Sequence, residues 1–508
     1  MVHLIRHNCL KIPAPTDNKL TTMQNSKNAA LAFLSFLNKS VTPFHAVESV
    51  EDILKNANFV KLSECDNIQI RPKDRFYVKK SETSIFAFVV GGSFKPCDAG
   101  FSIVVAHTDS PCLRIKPISK KSSEQFLQVG VSPYGGGIWR SWFDRDLSTA
   151  GQVVFRQSDP DGADVIRHKL VDLRRPLFHI PSLAIHLEAK FELNTEQHLR
   201  PIMAHIACDN KDRATKINGQ NDNAEKCADN AEKCANNAGA APGPVKNCQR
   251  LIGDHHVQLL ETVAAAVGCK AEDILDMDLY LYDTQPAILS GLNEEFISGA
   301  RLDNLVGTYT AIAGLVESLD DSQALDADPN VRVVACFDNE ECGSGSAQGA
   351  QSRFFESLLR RILFHIEHPM AFECSIGRSF MISADQAHSV HPNYAQKHEE
   401  QHKPSFHRGI VVKINANQRY ATTAITHSVL KVIADTVDVP LQKIVVRNDV
   451  GCGSTVGPVL SAKLGIQLAM HSIREIGDVP SILYSTRLYS GFFAQLPKVL
   501  KSMKKMES

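Results

Sequence analysis

The chain has 508 residues, 43% of them hydrophobic and 22% charged, with a formal net charge of −1. That length is too great for one compact domain, and the composition is that of an ordinary globular protein. The near-neutral charge excludes an electrostatic footprint for nucleic acid or an anionic membrane, and no apolar run approaches the ~18–20 residues needed to span a bilayer.

Residues 1–27 read as an N-terminal extension. Its opening stretch, Met1 to Lys11, is partly basic and apolar but lacks the apolar core and small-residue cleavage site of a signal peptide. Residues 28–60 have helical texture. Between 101 and 207, short apolar runs (Phe101–Ala106, Phe126–Val131, Gly151–Phe155, Leu183–Leu187) are broken by prolines and by Gly135-Gly-Gly137, which predicts a β-rich module. Trp139 and Trp142 beside those glycines read as core packing rather than a binding platform. A seven-residue repeat, Asn223–Asp229 followed by Asn230–Asn236, lies in a polar, Ala- and Asn-rich stretch. Only Ala and Cys recur as its apolar residues, too little for a coiled coil, so 208–248 reads as a disordered surface insertion with Cys227 and Cys234 incidental. Beyond 250 the texture changes to strand–helix alternation, with helical periodicity in Val257–Val267, Leu305–Leu319 and Phe354–Phe364 and buried-strand patterns at Val331–Phe337 and Phe380–Ser383. The simplest architecture is an α/β domain built from 28–107 and 249–508, with a β-rich domain inserted at 108–248. Thirteen cysteines, an odd count with no CxxC, favour a reducing compartment over a disulfide framework. The cytoplasm is the expected location, with a vacuole or other organelle as the alternative.

Chemistry gathers at the expected strand ends. Glu340-Glu341 follow the run Val331–Phe337 directly. Adjacent carboxylates repel, and a cation beside a general base would hold such a pair, although a solvated acidic turn is the commoner setting. In open α/β sheets functional groups lie past the carboxyl ends of the strands. His107 and Asp109 follow Phe101–Ala106, Asp385 and His388 follow Phe380–Ser383, Asp303 opens a helix, and His471 ends the run Gln467–Met470. His107, Asp303, Glu341, Asp385 and His471 together suit a pair of divalent ions, such as zinc, sharing one bridging carboxylate. Asp109 is placed to accept from the second nitrogen of His107. Spacing alone leaves each of these residues open to a purely structural role.

Two shorter patterns compete. His398-Glu-Glu-Gln-His402 matches HExxH letter for letter, but that motif requires a buried helix, and Pro392, Pro404 and polar flanks argue against one. Gly343-Ser-Gly345 through Gly349 fits neither phosphate-loop spacing and reads as small residues packing a helix start.

Taken together, His107-Thr-Asp-Ser-Pro-Cys-Leu-Arg114, Trp142–Asp146, Pro181–His186, Arg301–Asn304, Asp338–Glu341, Ser383–His388 with His391–Tyr394, and Gln467–Glu475 make the chain resemble the aspartyl aminopeptidase family of dinuclear zinc metallopeptidases over nearly all of 28–498. The resemblance implies a zinc-aminopeptidase-like mixed sheet flanked by helices, in which the inserted domain mediates dimers. It implies two Zn2+ per subunit, one on His107, Asp303 and Asp385, the other on Asp303, Glu341 and His471, with Glu340 as general base. Release of N-terminal Asp or Glu from peptides is the implied activity, with Lys413, Tyr420 and His388 near the substrate. His186 would reach a neighbouring subunit's site within a tetrahedral dodecamer built from dimers.

The chain departs from that family twice. The 208–248 insertion is unusual, and Lys463-Leu-Gly465 runs on to Gln467–His471 without several intervening residues, an Asp-x-Gly-x-Pro-like turn among them. The shortening bears on where His471 sits. It opens the alternative of an inactive member that acts in assembly or binding; an endopeptidase working through His398 and His402 is the other. Retention of all five ligands and Glu340 favours the active aminopeptidase.

Overall fold

Strands buried on both faces need apolar side chains at every position, and Ser84–Val90, Phe101–His107 and Val331–Phe337 have them nearly throughout. The structure, a computed structural model, describes residues 19–96, 98–159, 161–187, 192–208, 251–364, 368–451, 463–464 and 471–504. Most of the 208–248 insertion and most of the stretch before His471 lie outside these residues. No helix among them is long and apolar enough to cross a membrane.

The chain forms two compact units. One comprises residues up to Pro111, Tyr134–Ser141 and Pro286 onward; the other comprises Cys112–Pro133 and Trp142–Gln285. The second boundary therefore lies at 285/286 rather than 248/249. The reason is strand pairing: Ile274–Asp283 runs antiparallel to Asp146–Ser158 along most of its length. The helix Lys19–Lys39 likewise begins inside the expected 1–27 extension.

The first unit carries a nine-stranded mixed sheet in the order Val60–Lys61, Arg75–Lys80, Ser84–Val90, Val331–Phe337, Phe101–His107, Phe380–Ala384, Lys463–Leu464, Ile410–Lys413, Leu441–Ile444. Its three central strands, Val331–Phe337, Phe101–His107 and Phe380–Ala384, are parallel. Because side chains alternate along a strand, Val104, Ala106, Val334 and Cys336 face one layer, into which the helices Pro43–Asn56, Leu302–Glu317 and Val479–Lys504 pack Leu54, Leu305, Phe492 and Phe493. Ile103, Val105, Val333 and Ala335 face the other, where the helix Phe354–Ile362 supplies Phe355, Leu358 and Leu359.

The second unit carries a seven-stranded sheet in which Ile274–Asp283 pairs antiparallel with both Cys112–Ser123 and Asp146–Ser158, closing six of the strands on themselves. The seventh, Asp164–Asp172, pairs with Asp146–Ser158 as an outer strand. Leu183–Leu187, expected as a strand, is not one. Leu183, Ile185 and Leu187 are 54%, 78% and 75% exposed in an irregular stretch that ends in a turn, so the apolar alternation there is not packed into the core of the described residues. Trp142 is buried, as core packing requires.

Arg332 is fully buried within the central strand. Its guanidinium donates from Nε to Asp328 at 2.8 Å and from Nη1 to the Ser318 carbonyl at 2.8 Å, tying the strand to the end of the Leu302–Glu317 helix. Removing one partner of a buried ion pair strands the other charge. Asp328→Ala is therefore expected to destabilise the protein by about 3–5 kcal/mol in urea unfolding; a loss below about 1 kcal/mol would mean the guanidinium finds other compensation.

Candidate active site

Parallel pairing brings the strand ends together. Phe337 is in register with His107 and Val105 with Ser383, so the segments 107–109, 338–341 and 384–385 leave the same edge side by side. Asp109 is wholly buried just past that edge. Its Oδ1 accepts the Glu340 amide at 3.2 Å, and its Oδ2 accepts the Glu341 amide at 3.0 Å and the Tyr134 hydroxyl at 2.6 Å. The tandem glutamates are thus presented by a buried carboxylate that grips their backbone. His107 Nδ1 donates to the Asp109 carbonyl oxygen at 3.0 Å, with the Asp109 carboxylate at 3.3 Å. A carbonyl can only accept, so Nδ1 carries a proton and Nε2 is the nitrogen left to face the site.

Asp303 arrives from a different direction, at the irregular start of the Leu302–Glu317 helix. Three hydrogen bonds staple that start to the strand ends: Asn304 Nδ2 to the Ala384 carbonyl (2.6 Å), Thr308 Oγ1 to the His107 carbonyl (2.7 Å) and Ser110 Oγ to the Asp303 carbonyl (2.6 Å). Gly307 permits the approach, since a Cβ there would lie 2.8 Å from the Ala384 carbonyl oxygen.

The ligand-type atoms converge into overlapping groups. His107, Asp303 and Asp385 form one, and Asp303, Glu341 and His471 another, each with its atoms within 4.8 Å of one another; His107, Glu340 and Glu341 also lie within that reach. His107 Nε2 is 3.6 Å from Asp303 Oδ1 and 3.8 Å from Glu340 Oε2, while His471 Nε2 is 3.6 Å from both Asp303 Oδ2 and Glu341 Oε2. Asp303 Oδ1 and Glu341 Oε1 are buried and have no hydrogen-bond partner among the described residues. Buried carboxylate oxygens without partners, clustered with imidazole nitrogens, are the donor types of a divalent-cation site.

The electrostatics agree. Burial, followed by the neighbouring Asp303 charge, pushes the Glu341 carboxyl well above the usual carboxylate range. Burial alone would lower His107, but Glu340, Asp109 and Asp303 outweigh it and hold the imidazole well above its ordinary value. Asp109 is held low, its burial outweighed by His107, Tyr134 and the Glu341 amide. His471 is raised, chiefly by its approach to Asp303. A cation amid these groups relieves the carboxylate repulsion and displaces the imidazole protons.

His471 is fixed independently of its place in sequence. Its Nδ1 donates to the Gly136 carbonyl at 2.6 Å, its carbonyl accepts from the Ile138 amide at 2.7 Å, and its amide donates to Glu475 Oε1 at 2.8 Å. Gly135, at φ +72°, lies so close that a Cβ would come within 2.9 Å of the Glu341 Cβ. The shortened stretch 465–470 lies outside the described residues, while His471 itself stands against Asp303 and Glu341. Tyr134, Gly136 and Glu475 were not singled out in the sequence. A Tyr-Gly-Gly-Gly run does signal close backbone approach, but nothing in it says to what.

A cavity of about 290 Å3 opens on this cluster, lined by His107, Asp303, Glu340, Asp385 and His471 and by His388, Lys413 and Tyr420. Lys413 is buried at the end of its strand; its ammonium donates to the Gln386 carbonyl, stands 4.0 Å from Asp385 Oδ2 and lies 5.5 Å over the Tyr420 ring. Burial, with Lys413 and His398 adding to it, lowers His388 to about 4, so its ring is neutral near pH 7. His398, Glu399 and His402 also line the cavity, but not on a helix: His398 caps the turn Pro392–Lys397 in extended conformation, and His402 turns its ring onto Glu399. The HExxH reading fails for that reason. His186 belongs to the second unit, exposed on a turn.

Residues 36–493 match the peptidase family described as aminopeptidase I zinc metalloprotease (M18). A *Caenorhabditis elegans* protein named aspartyl aminopeptidase is 51% identical over 94% of this chain and 97% of its own length. The cryo-EM structure of the Ape4 and Nbr1 complex contains a chain 38% identical to this one, with a TM-score of 0.82 over 96% of this chain and 89% of that one. The structure titled as the *S. cerevisiae* mApe1 dodecamer is 25% identical, with a TM-score of 0.76 over 94% of this chain and 99% of that one. The chain belongs to the M18 aminopeptidase I family of zinc metalloproteases.

Proposed function

We propose that this protein is a two-zinc aminopeptidase that releases Asp or Glu from the N-terminus of peptides. The observation that carries the reading is the pair of ligand groups overlapping at Asp303, with Glu340 beside them on one cavity wall. His107, Asp303 and Asp385 would hold one ion and Asp303, Glu341 and His471 the other. Zinc, when bound, polarises the scissile carbonyl and acidifies the attacking water. Glu340, 13% exposed and not needed in either group, takes the proton of that water and returns it to the leaving amine. Asp109 holds the Glu340 and Glu341 backbone, with the Glu340 side chain on the cavity wall and Glu341 within reach of Asp303 and His471.

The name of the *C. elegans* relative supports an acidic first residue. An acidic side chain entering a cavity gives up its hydration and needs a fixed partner. Lys413 is that partner, with neutral His388 and the Tyr420 hydroxyl completing the polar wall. The dodecamer title of the yeast relative supports a homo-oligomer, here a tetrahedral dodecamer built from dimers through the second unit, with His186 serving a neighbour's site. Free thiols at the described cysteines suit the cytoplasm.

Glu340→Gln preserves size but cannot take a proton; it is expected to bind zinc normally and lose roughly 10²–10⁴-fold in kcat on an Asp-linked chromogenic amide. Near-normal turnover would remove Glu340 from its role. Lys413→Leu should erode the preference for Asp- over Leu-linked amides by about 2–4 kcal/mol. Should the unmodified protein cleave both amides equally, the acidic preference is wrong while the metallopeptidase chemistry stands. Finally, verified mixed oligomers of His186→Phe and Glu340→Gln subunits should exceed the activity of either parent, and no recovery would count against a shared site.

A further inference from the structure

The geometry points to Glu475 as a positioning residue: one buried carboxylate that clamps the backbones of two ligands, Asp303 and His471, and so sets the geometry of the zinc group they form with Glu341. The inference rests on the two-zinc reading above. Glu475 is 2% exposed and opens the strand Glu475–Asp478, which pairs antiparallel with Phe296–Gly299, Gly299 lying opposite Glu475. The ladder therefore fixes the Glu475 backbone against the segment that runs four residues later into Asp303, while His471 lies four residues before Glu475.

From that anchor the side chain reaches both ligands. Oε1 accepts the His471 amide at 2.8 Å and Oε2 accepts the Asp303 amide at 3.1 Å. Two backbone donors from segments more than 160 residues apart are thus held by the two oxygens of one group. Only a carboxylate offers two acceptor oxygens in that fork; a glutamine presents one oxygen and one NH2, and the NH2 would meet an N–H head-on. Both ligand amides sit at irregular backbone, His471 at φ 58° and Asp303 inside the broken start of its helix. Neither has a regular ladder to satisfy its N–H, and Glu475 replaces one. Outer-shell partners of this kind hold ligands at their working distance.

The test is zinc titration of the metal-free protein against a chromogenic chelator, for Glu475→Gln, Glu475→Ala and, as a control, His471→Ala. The ion held through both Asp303 and His471 should bind the Glu475 variants roughly 10–100-fold more weakly, a larger loss than for the other ion, which shares only Asp303. Activity lost at limiting zinc should return at excess zinc with KM unchanged. His471→Ala should weaken the same ion. If His471→Ala weakens one ion and both Glu475 variants bind two ions normally, the clamp is wrong and the site reading survives. If His471→Ala leaves both affinities intact, the site reading itself fails. A carboxylate that only stabilises the fold would lower the melting temperature of the metal-free protein and leave zinc affinity in the folded Glu475→Gln protein unchanged, and that outcome also overturns the proposal.

Discussion

Mutual repulsion among buried carboxylates is the constraint on which the rest of this structure depends. Asp303 lies within ligand reach of His107 and Asp385 on one side and of Glu341 and His471 on the other, and Glu340 within reach of His107 and Glu341, with the carboxylates largely withdrawn from solvent. At a low effective dielectric such a cluster is costly unless a cation occupies it or protons neutralise it. The raised Glu341 carboxyl and the raised His107 imidazole are two expressions of that cost. The protein opposes the repulsion with backbone contacts as well as with the buried Lys413 ammonium beside Asp385. Asp109 takes the two glutamate amides, Glu475 takes the Asp303 and His471 amides, and Gly136 takes the His471 ring.

The sheet makes that rigidity available. Three parallel strands, buried on both faces, end in register, so the loops that follow them are adjacent without having to be long. Asn304, Thr308 and Ser110 then dock the helix start carrying Asp303 onto those ends through short hydrogen bonds. Core packing and site geometry are therefore one problem: Val104, Ala106, Val334 and Cys336 seat the helix whose first turn delivers the shared carboxylate. The cavity beside it places a buried ammonium, Lys413, close to Asp385, so the cavity wall and the acidic cluster share one electrostatic environment.

Much of this was legible in the chain, for stated physical reasons. Val331–Phe337 is apolar enough to be a doubly buried strand, and the carboxylates that follow it mark a strand-end site; His107 and Asp385 follow the same rule. The helices at Val257–Val267 and Phe354–Ile362 announced themselves by periodicity. Other readings failed where periodicity is ambiguous or context decides. Leu183–Leu187 alternates like a strand but pairs with none among the described residues. His398–His402 has the letters of a zinc helix, yet the prolines around it leave a turn. The 248/249 boundary was drawn from texture, whereas Ile274–Asp283 joins the second unit by pairing with a strand more than a hundred residues earlier.

Side-chain period and single-residue chemistry were enough for most element types, for the strand-end positions of the acidic and histidine residues, and, through the assembled motifs, for the family. These are local properties of the sequence. Only the tertiary structure decided which residues support the site. Tyr134 donates its hydroxyl to the Asp109 carboxylate, Gly136 receives the His471 ring at its carbonyl, and Glu475 takes the Asp303 and His471 amides; each contact joins segments brought together by the fold, and no side-chain period announces it. Tertiary structure also decided that Asp109 grips the Glu340 and Glu341 amides with its carboxylate while its carbonyl oxygen receives the His107 proton. That division follows from how two strand ends meet in space, which no spacing within either strand encodes.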